Sequence, residues 1–210
     1  GKIICSHSQV AILQTLLDGK ATVTADEVYE NKLRELSGIS EVKATAAPAG
    51  FQGQLRHYQQ ESLGWMLFLQ KMGLGGILAL DMGLGKTPTV LALLQSRKNI
   101  TKPSLVVLPR SLVFNWEAEA QKFTPHPKIF IWRGAQRRQY LKTLINYDII
   151  LTTYGTLCRD AELLQEVHFD YCILDESQAI KNSDTSNAKA VRAVNCDYRL
   201  AMTGTPIENS

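Results

Sequence analysis

The chain has 210 residues, of which 45% are hydrophobic and 20% are charged, enough for one sizeable core plus an appendage. No apolar run is long enough to span a bilayer and no charged-then-apolar leader opens the chain, so no membrane partner is expected. We expect an intracellular protein, cytoplasmic or in the nucleoid of a bacterium, or nuclear in a eukaryote. The formal net charge of +3 does not by itself indicate a nucleic-acid partner. The four cysteines have no paired metal-ligand spacing, which favours buried or incidental thiols.

Residues 1–43 are predicted to form a helical appendage. Apolar residues at helical spacing predict a first helix that ends at Gly19. Thr24 and Glu27 have the spacing of a capping box, which predicts the start of a second helix. Two short helices can form a DNA-binding unit, but packing on a neighbouring part of the protein is the favoured interpretation. Residues 44–53, rich in Ala, Pro and Gly, are predicted to be a linker.

From Leu55 the pattern changes to alternating helices and strands. A helix is predicted to open at Leu55 and to continue through Leu69. Short apolar runs with the character of strands follow, separated mostly by helical stretches, at residues 76–80, 105–108, 129–132, 148–151, 171–174 and 199–202. This alternation predicts an α/β fold with a mostly parallel sheet covered on both faces, whose ligands lie at the carboxyl ends of the strands.

A glycine-rich turn follows the first predicted strand and opens a helix. Its residues are Gly83, Leu84, Gly85, Lys86 and Thr87. Backbone N–H groups in such a turn close around phosphate oxygens, the lysine adds a point charge, and the threonine hydroxyl binds Mg²⁺. The phosphate-loop pattern has a glycine at the position that Leu80 occupies in this chain. For this motif taken alone, the alternative is an ordinary connection between a strand and a helix.

Two adjacent carboxylates, Asp175 and Glu176, end the apolar run 171–174. A carboxylate at a strand end beside a phosphate loop can hold a hydrated Mg²⁺, and its neighbour can orient or deprotonate the attacking water. We assign the metal role to Asp175 and the water role to Glu176. A solvated pair at the start of a loop is the alternative, but the uniformly apolar strand predicts a central position in the sheet.

Two more predicted strands end in segments that suit phosphate contacts. These segments are Pro109-Arg110-Ser111 and Thr152-Thr153-Tyr154-Gly155, and each precedes a helix. Hydroxyl groups and free helix N–H groups at such points bind a nucleic-acid backbone without reading bases. For Ser111 and Thr153, helix capping is an equally good explanation because it needs the same geometry.

A basic cluster and a tryptophan lie outside the phosphate and acidic motifs. The cluster contains Arg133, Arg137, Arg138 and Lys142. A solvated helix face is favoured over an auxiliary DNA contact for these side chains. Trp116 is interpreted as a hydrophobic anchor, which is favoured over a base-stacking role.

The last predicted strand is followed by Thr203-Gly204-Thr205-Pro206. The hydroxyls of Thr203 and Thr205 can hydrogen-bond to the acidic loop and so make its position depend on whether a γ-phosphate is bound. Gln178 is the predicted hydrogen-bond partner in that loop. A tight turn built around the glycine and the proline is the alternative, and both interpretations can hold together.

Five blocks in this order resemble the Swi/Snf family of ATP-dependent DNA translocases, in superfamily two of the helicases. They lie at residues 79–87, 105–116, 151–156, 174–182 and 202–209. The likeness covers about residues 52–210. This chain departs from the family at Leu80, where an acidic residue is usual.

The resemblance implies a RecA-like P-loop NTPase lobe over residues 54–210 that uses ATP and Mg²⁺. It further implies that the parent protein moves along double-stranded DNA and remodels protein–DNA complexes, with a DNA-bound protein as a possible target. In the resembled family a glutamine reads the adenine edge, which corresponds to Gln59, and two residues near the DNA path correspond to Lys181 and Asn182.

The resemblance also implies that this lobe is incomplete as a catalyst. Phosphoryl transfer needs a cation that neutralises charge developing between the β- and γ-phosphates, commonly an arginine. In the resembled family a second RecA-like lobe supplies those arginines, so the chain alone is expected to hydrolyse ATP slowly or not at all. A conventional RNA or DNA helicase and a non-catalytic interaction module with a helicase-like fold are the two alternatives.

Overall fold

A computed structural model describes residues 42–97 and 101–204, and these residues form a six-stranded sheet in which every neighbouring pair is parallel. The strands are β1 (Gly76–Ala79), β2 (Ser104–Leu108), β3 (Ile129–Ile131), β4 (Ile149–Thr153), β5 (Phe169–Leu174) and β6 (Cys196–Thr203). Their spatial order is β1-β6-β5-β2-β4-β3. The predicted parallel α/β fold is confirmed.

Helices connect most of the strands. They are α1 (His57–Lys71), α2 (Lys86–Ser96), α3 (Val113–Phe123), α4 (Tyr154–Arg159), α5 (Ala161–Leu164) and α6 (Ser186–Ala193). Three 3₁₀ segments span Arg110–Leu112, Arg137–Asn146 and Ser177–Ile180. None of the helices among the described residues is long and apolar enough to cross a membrane.

The sheet has a hydrophobic core on each face. In β2, Val106 and Leu108 join a cluster with residues of α1, α2 and α3, whereas Leu105 and Val107 join a second cluster with residues of α4 and α6. Successive side chains of a strand point to opposite faces, so a strand covered on both faces must be apolar throughout. This requirement explains why the central strands read as uninterrupted apolar runs.

Strand β5 is central, as its sequence predicts. All six of its residues are buried, and it lies between β6 and β2. Strand β6 begins three residues before its predicted start because Cys196 and Tyr198 pair with residues of β5. The charged residue Asp197 interrupts the apolar pattern, which hid this part of the strand.

Residues 44–53, predicted to be a linker, lie against α1 and α3. The amide of Thr45 donates to the carbonyl of Gln60 at 2.9 Å. Further along, the ring of Phe51 stacks on that of Phe123 with 5.7 Å between centroids. The predicted helix pair of the appendage lies outside the described residues.

The basic cluster differs from the predicted solvated helix face. Asp160 has a fully buried carboxylate that accepts hydrogen bonds from the indole of Trp132 at 2.9 Å and from the guanidinium groups of Arg137 and Arg138. The prediction is wrong for Arg137, whose side chain is only 14% exposed. Burying a charge is costly unless it is paired, and these arginines supply the opposite charge for Asp160.

Candidate functional site

The predicted site motifs meet at one edge of the sheet. All strands are parallel, so the segments that follow their carboxyl ends lie side by side. Along the spatial order of the strands, the edge carries the glycine-rich turn after β1, the Thr-Gly turn after β6, the acidic pair after β5, the Arg-Ser segment after β2 and the Thr-Tyr segment after β4. Segments more than a hundred residues apart in the sequence therefore lie next to each other in the fold.

The glycine-rich turn has the geometry of an anion site. Gly83 and Gly85 have φ angles of 82° and 73°, a left-handed conformation that favours glycine. Gly85 caps α2, whose first N–H groups have no acceptors within the helix. A Cβ atom on Gly83 would meet nothing within 4 Å, so the turn borders open space. Phosphate oxygens fit this combination of helix-start amides and open space.

Lys86 lies folded across the turn. Its Nζ donates to the carbonyl of Leu80 at 2.8 Å and lies 3.4 Å from the position that a Cβ atom on Gly204 would take. The Thr-Gly turn after β6 therefore lies directly against this ammonium group. Because Leu80 contributes its main-chain carbonyl, its unusual side chain does not alter this contact.

Gln59 and Tyr58 support the glycine-rich turn from α1. The amide nitrogen of Gln59 and the hydroxyl of Tyr58 each donate to the carbonyl of Leu84 at 3.1 Å. The side-chain oxygen of Gln59 accepts from the amide of Arg56 at 2.8 Å. Both polar atoms of Gln59 are engaged, so reading an adenine edge would require it to exchange these bonds, and that role stays a prediction.

Asp175 is buried, with 4% of its surface exposed, and both carboxylate oxygens accept hydrogen bonds. The indole of Trp116 donates to Oδ2 at 2.8 Å, and the amide of Glu176 donates to Oδ1 at 2.9 Å. Burial raises the pKa of Asp175 above its ordinary value, although the two hydrogen bonds and the charge of Lys86 oppose this effect. Each oxygen keeps a lone pair with which it can bind a cation or its water shell.

Glu176 adopts a left-handed backbone conformation, with φ 47° and ψ 56°. It is the one non-glycine residue with positive φ among residues 42–97 and 101–204. This conformation costs a residue with a Cβ atom about 1–2 kcal/mol, and such strain concentrates at functional sites. The surrounding structure therefore imposes this backbone conformation on Glu176.

Gln178 connects Glu176 to the Thr-Gly turn. Its amide nitrogen donates to Oε2 of Glu176 at 2.6 Å, and its side-chain oxygen accepts from the hydroxyl of Thr203 at 3.4 Å. The structure thus brings together the two predicted coupling residues that it describes. Thr205, the third, lies outside the described residues.

The predicted nucleic-acid contacts separate into an exposed and an engaged group. Arg110, Ser111, Lys181 and Asn182 are exposed. By contrast, Thr153 caps α4 by accepting from the amide of Thr156 at 3.3 Å. Tyr154 is buried, and its hydroxyl donates to the main-chain carbonyl of Asp175 at 2.8 Å. The structure therefore places the Tyr154 side chain in the protein interior.

The sequence interpretation missed the polar role of Trp116. Its side chain is buried as predicted, with 1% exposed, but it also donates to Asp175 across 59 positions of sequence. Nothing in the spacing of α3 indicates this bond. It depends on β2 and β5 being neighbours in the sheet.

A comparison with protein-family models matches residues 58–210 to the SNF2-related domain. The chain belongs to the SNF2-related domain family. Similar proteins include the TATA-binding protein-associated factor MOT1 of Saccharomyces cerevisiae, 34% identical over 90% of this chain. The chromatin-remodeling ATPase INO80 of Arabidopsis thaliana is 40% identical over 78% of it. This SNF2-related domain spans only 11% and 12% of those two proteins.

Solved structures agree with this membership. The Sulfolobus solfataricus SWI2/SNF2 ATPase core in complex with dsDNA is 45% identical to this SNF2-related domain and superposes with a TM-score of 0.72. The match covers 78% of this chain and 34% of that one. The predicted family and the RecA-like fold are confirmed.

Proposed function

We propose that the chain is the ATP-binding first lobe of a DNA-stimulated ATPase that moves along double-stranded DNA and remodels protein–DNA complexes. The observation that carries the proposal is the single sheet edge on which the glycine-rich turn, the pair Asp175 and Glu176, and the exposed segment with Arg110 and Ser111 lie next to each other. The dsDNA complex of the Sulfolobus solfataricus core supports the DNA part. Chromosomal DNA as substrate implies a nucleoid or nuclear location.

The residues of the turn and of the acidic pair fit ATP with Mg²⁺. The N-terminus of α2 and Lys86 offer donors to phosphate oxygens, and Thr87 with Asp175 offers oxygens to the metal. When bound, the nucleotide supplies the phosphoanhydride bond and the metal supplies positive charge. Lys86 would exchange its carbonyl partners for phosphate oxygens, since its Nζ lies beside the turn.

Glu176 is the base that receives the proton of the attacking water. Its hydrogen bond to Gln178 orients its carboxylate. Through Gln178 this carboxylate is connected to Thr203, which precedes Gly204 beside Lys86. The three residues form a chain that can report phosphate occupancy to the water-activating group.

The exposed residues on the same edge would hold DNA by its phosphates. Arg110 supplies a guanidinium group for bidentate contact, Lys181 adds a point charge, and Ser111 and Asn182 supply uncharged donors. Phosphate contacts give sequence-independent binding, which movement along DNA requires.

A second RecA-like lobe is part of the proposal. The relatives are several times longer than this chain, and it spans about a third of the Sulfolobus solfataricus core. We infer that the second lobe supplies the arginines that neutralise the transferred phosphoryl group. A protein bound to DNA is the proposed target of the complete motor.

Nucleic-acid stimulation of the full-length ATPase tests the proposal. We expect duplex DNA to raise turnover more than single-stranded DNA or RNA of equal length. Preference for RNA or for single strands would favour a conventional helicase. Absence of turnover with every nucleic acid would instead favour a non-catalytic interaction module.

The substitution Glu176→Gln tests the assigned base in the full-length protein. The variant should bind ATP as the wild type does and lose turnover by about 10²–10⁴-fold, the usual contribution of a general base. Glu166→Gln removes the charge of an exposed glutamate elsewhere in the lobe and serves as the matched control. Unchanged turnover of Glu176→Gln would overturn its role.

A further inference from the structure

Two buried aromatic side chains converge on Asp175 from the two segments whose sequence predicts DNA contact, the one with Arg110 and the one with Thr153. Helix α3 begins directly after Arg110–Leu112, and in its first turn Trp116 donates to Oδ2 of Asp175 at 2.8 Å. Helix α4 begins directly after Thr153, and its first residue, Tyr154, donates to the main-chain carbonyl of Asp175 at 2.8 Å. One bond therefore reaches the carboxylate and the other reaches the backbone of the same residue.

Both bonds lie in the protein interior. Trp116 is 1% exposed, Tyr154 is 7% exposed and Asp175 is 4% exposed. Water cannot replace a donor at such depth, so a displaced donor would leave a buried oxygen without its partner. A movement of either helix start must therefore move Asp175 or break a buried bond.

A second buried Trp–Asp bond in the lobe shows what a structural pair of this kind looks like. Trp132 donates to Asp160 at 2.9 Å, and two arginines also bind that carboxylate. The charge of Asp160 is thus matched within the protein. Asp175 instead accepts from an indole and a backbone amide, which are uncharged donors. Its charge stays available to a cation while its position is fixed.

We propose that Trp116 and Tyr154 are positioning residues that transmit DNA contact at Arg110–Leu112 and Thr153 to Asp175. The inference rests on the proposed function and deepens it, because it names the path by which DNA stimulates ATP hydrolysis. Phosphate binding at either segment shifts the start of the helix behind it, and the buried hydrogen bond carries that shift to the metal-binding carboxylate. A displacement of 1 Å at a reacting group can change the rate about a hundredfold, so small shifts suffice.

The test uses Trp116→Phe in the full-length protein, with Trp132→Phe as matched control. Both changes remove an indole donor from a buried carboxylate and keep an aromatic ring. We expect Trp116→Phe to lower DNA-stimulated kcat about tenfold and to raise the Mg²⁺ concentration needed for half-maximal rate. KM for ATP and the Kd for duplex DNA should change less than about twofold. Trp132→Phe should leave kcat and the Mg²⁺ dependence unchanged, whatever its effect on thermal stability.

The tyrosine bond has its own pair of variants. Tyr154→Phe removes the hydroxyl that binds the carbonyl of Asp175, and Tyr171→Phe removes that of another buried tyrosine, which donates to Gln70. We expect the first variant to lower DNA stimulation and the second to preserve it. Equal behaviour of the two would overturn the role of Tyr154.

A double-mutant cycle with Arg110→Ala shows whether the DNA contact acts through Trp116. If it does, Arg110→Ala reduces DNA stimulation in the wild type and has little further effect in Trp116→Phe. Additive losses, or full stimulation of Trp116→Phe, would overturn the inference while leaving the proposed function standing. A wild-type ATPase that does not respond to DNA would instead overturn the proposed function, and the inference with it.

Discussion

At the scale of single residues, the backbone conformation of Glu176 lowers the stability of the folded chain. Its left-handed conformation places a side chain where glycine is favoured. We expect the free energy of unfolding of Glu176→Gly to exceed that of Glu176→Ala by about 1 kcal/mol, because alanine keeps the backbone strain and glycine releases it. Urea unfolding of the two variants measures this difference.

The comparison between the Gly and Ala variants isolates the effect of backbone strain on stability, because both variants lack the carboxylate and should lack turnover. Equal stability, or a less stable glycine variant, would contradict the assignment of strain to this position. A stabilised but inactive Glu176→Gly would show that the wild-type residue is retained for chemistry at a cost in stability.

The placement of the candidate site residues at one sheet edge could be predicted from the sequence, but their contacts could not. The glycine-rich turn and the acidic pair have fixed spacings that a chain pattern reveals, and their placement follows from the parallel sheet. The bonds from Trp116 and Tyr154 to Asp175 join positions 59 and 21 residues apart. They depend on which strands are neighbours, and that order is a property of the folded sheet.

At the scale of elements, Asp160 ties the segment Arg137–Asn146 to the start of α5. Its carboxylate holds Trp132, Arg137 and Arg138. We expect Asp160→Asn to lower the free energy of unfolding at pH 7 by about 3 kcal/mol, because removing one partner of a buried ion pair leaves the other uncompensated. Asp197→Asn, at a partly exposed pair with Lys102, should lose less than about 1 kcal/mol.

The carboxylate of Asp160 should also make the free energy of unfolding depend on pH in the acid range. Burial raises the pKa of Asp160, but hydrogen bonds from two arginines and a tryptophan outweigh burial and hold the pKa below its ordinary value. Its contribution is therefore complete above the unfolded pKa of about 3.9 and is lost as the pH falls through the folded value. Denaturant unfolding between pH 7 and pH 3 should show a steeper decline for the wild type than for Asp160→Asn, and parallel curves would contradict this.

Sequence periodicity was least informative at this scale. It predicted a solvated helix face for the basic cluster, whereas the structure has a 3₁₀ segment whose arginines turn towards Asp160. An aspartate more than twenty positions away gives no local signal. Buried charge pairs of this kind appear only when the elements have been placed in three dimensions.

At the scale of the whole molecule, the sheet order divides the carboxyl edge between the two proposed ligands, nucleotide and DNA. Strands β1, β6 and β5 carry the phosphate turn, the Thr-Gly turn and the acidic pair, whereas β2 and β4 carry the segments proposed to contact DNA. Strand β5 lies at the border, between β6 and β2. Asp175, which follows it, is therefore the natural point at which DNA contact and nucleotide chemistry meet.

The edge holds the residues that bind and position, and the proposed second lobe holds the cation that completes catalysis. We therefore expect the 210-residue chain expressed by itself to bind ATP with Mg²⁺ but to turn it over at least about a thousandfold more slowly than the full-length protein with DNA, since an arginine finger contributes 10³–10⁵ in rate. Calorimetry of nucleotide binding and a phosphate-release assay measure the two quantities. Lys86→Ala, which removes the ammonium group beside the glycine-rich turn, should weaken binding and serves as the control. Full DNA-stimulated turnover by the chain alone would show that the lobe carries its own charge-neutralising group and that the division of labour between lobes is wrong.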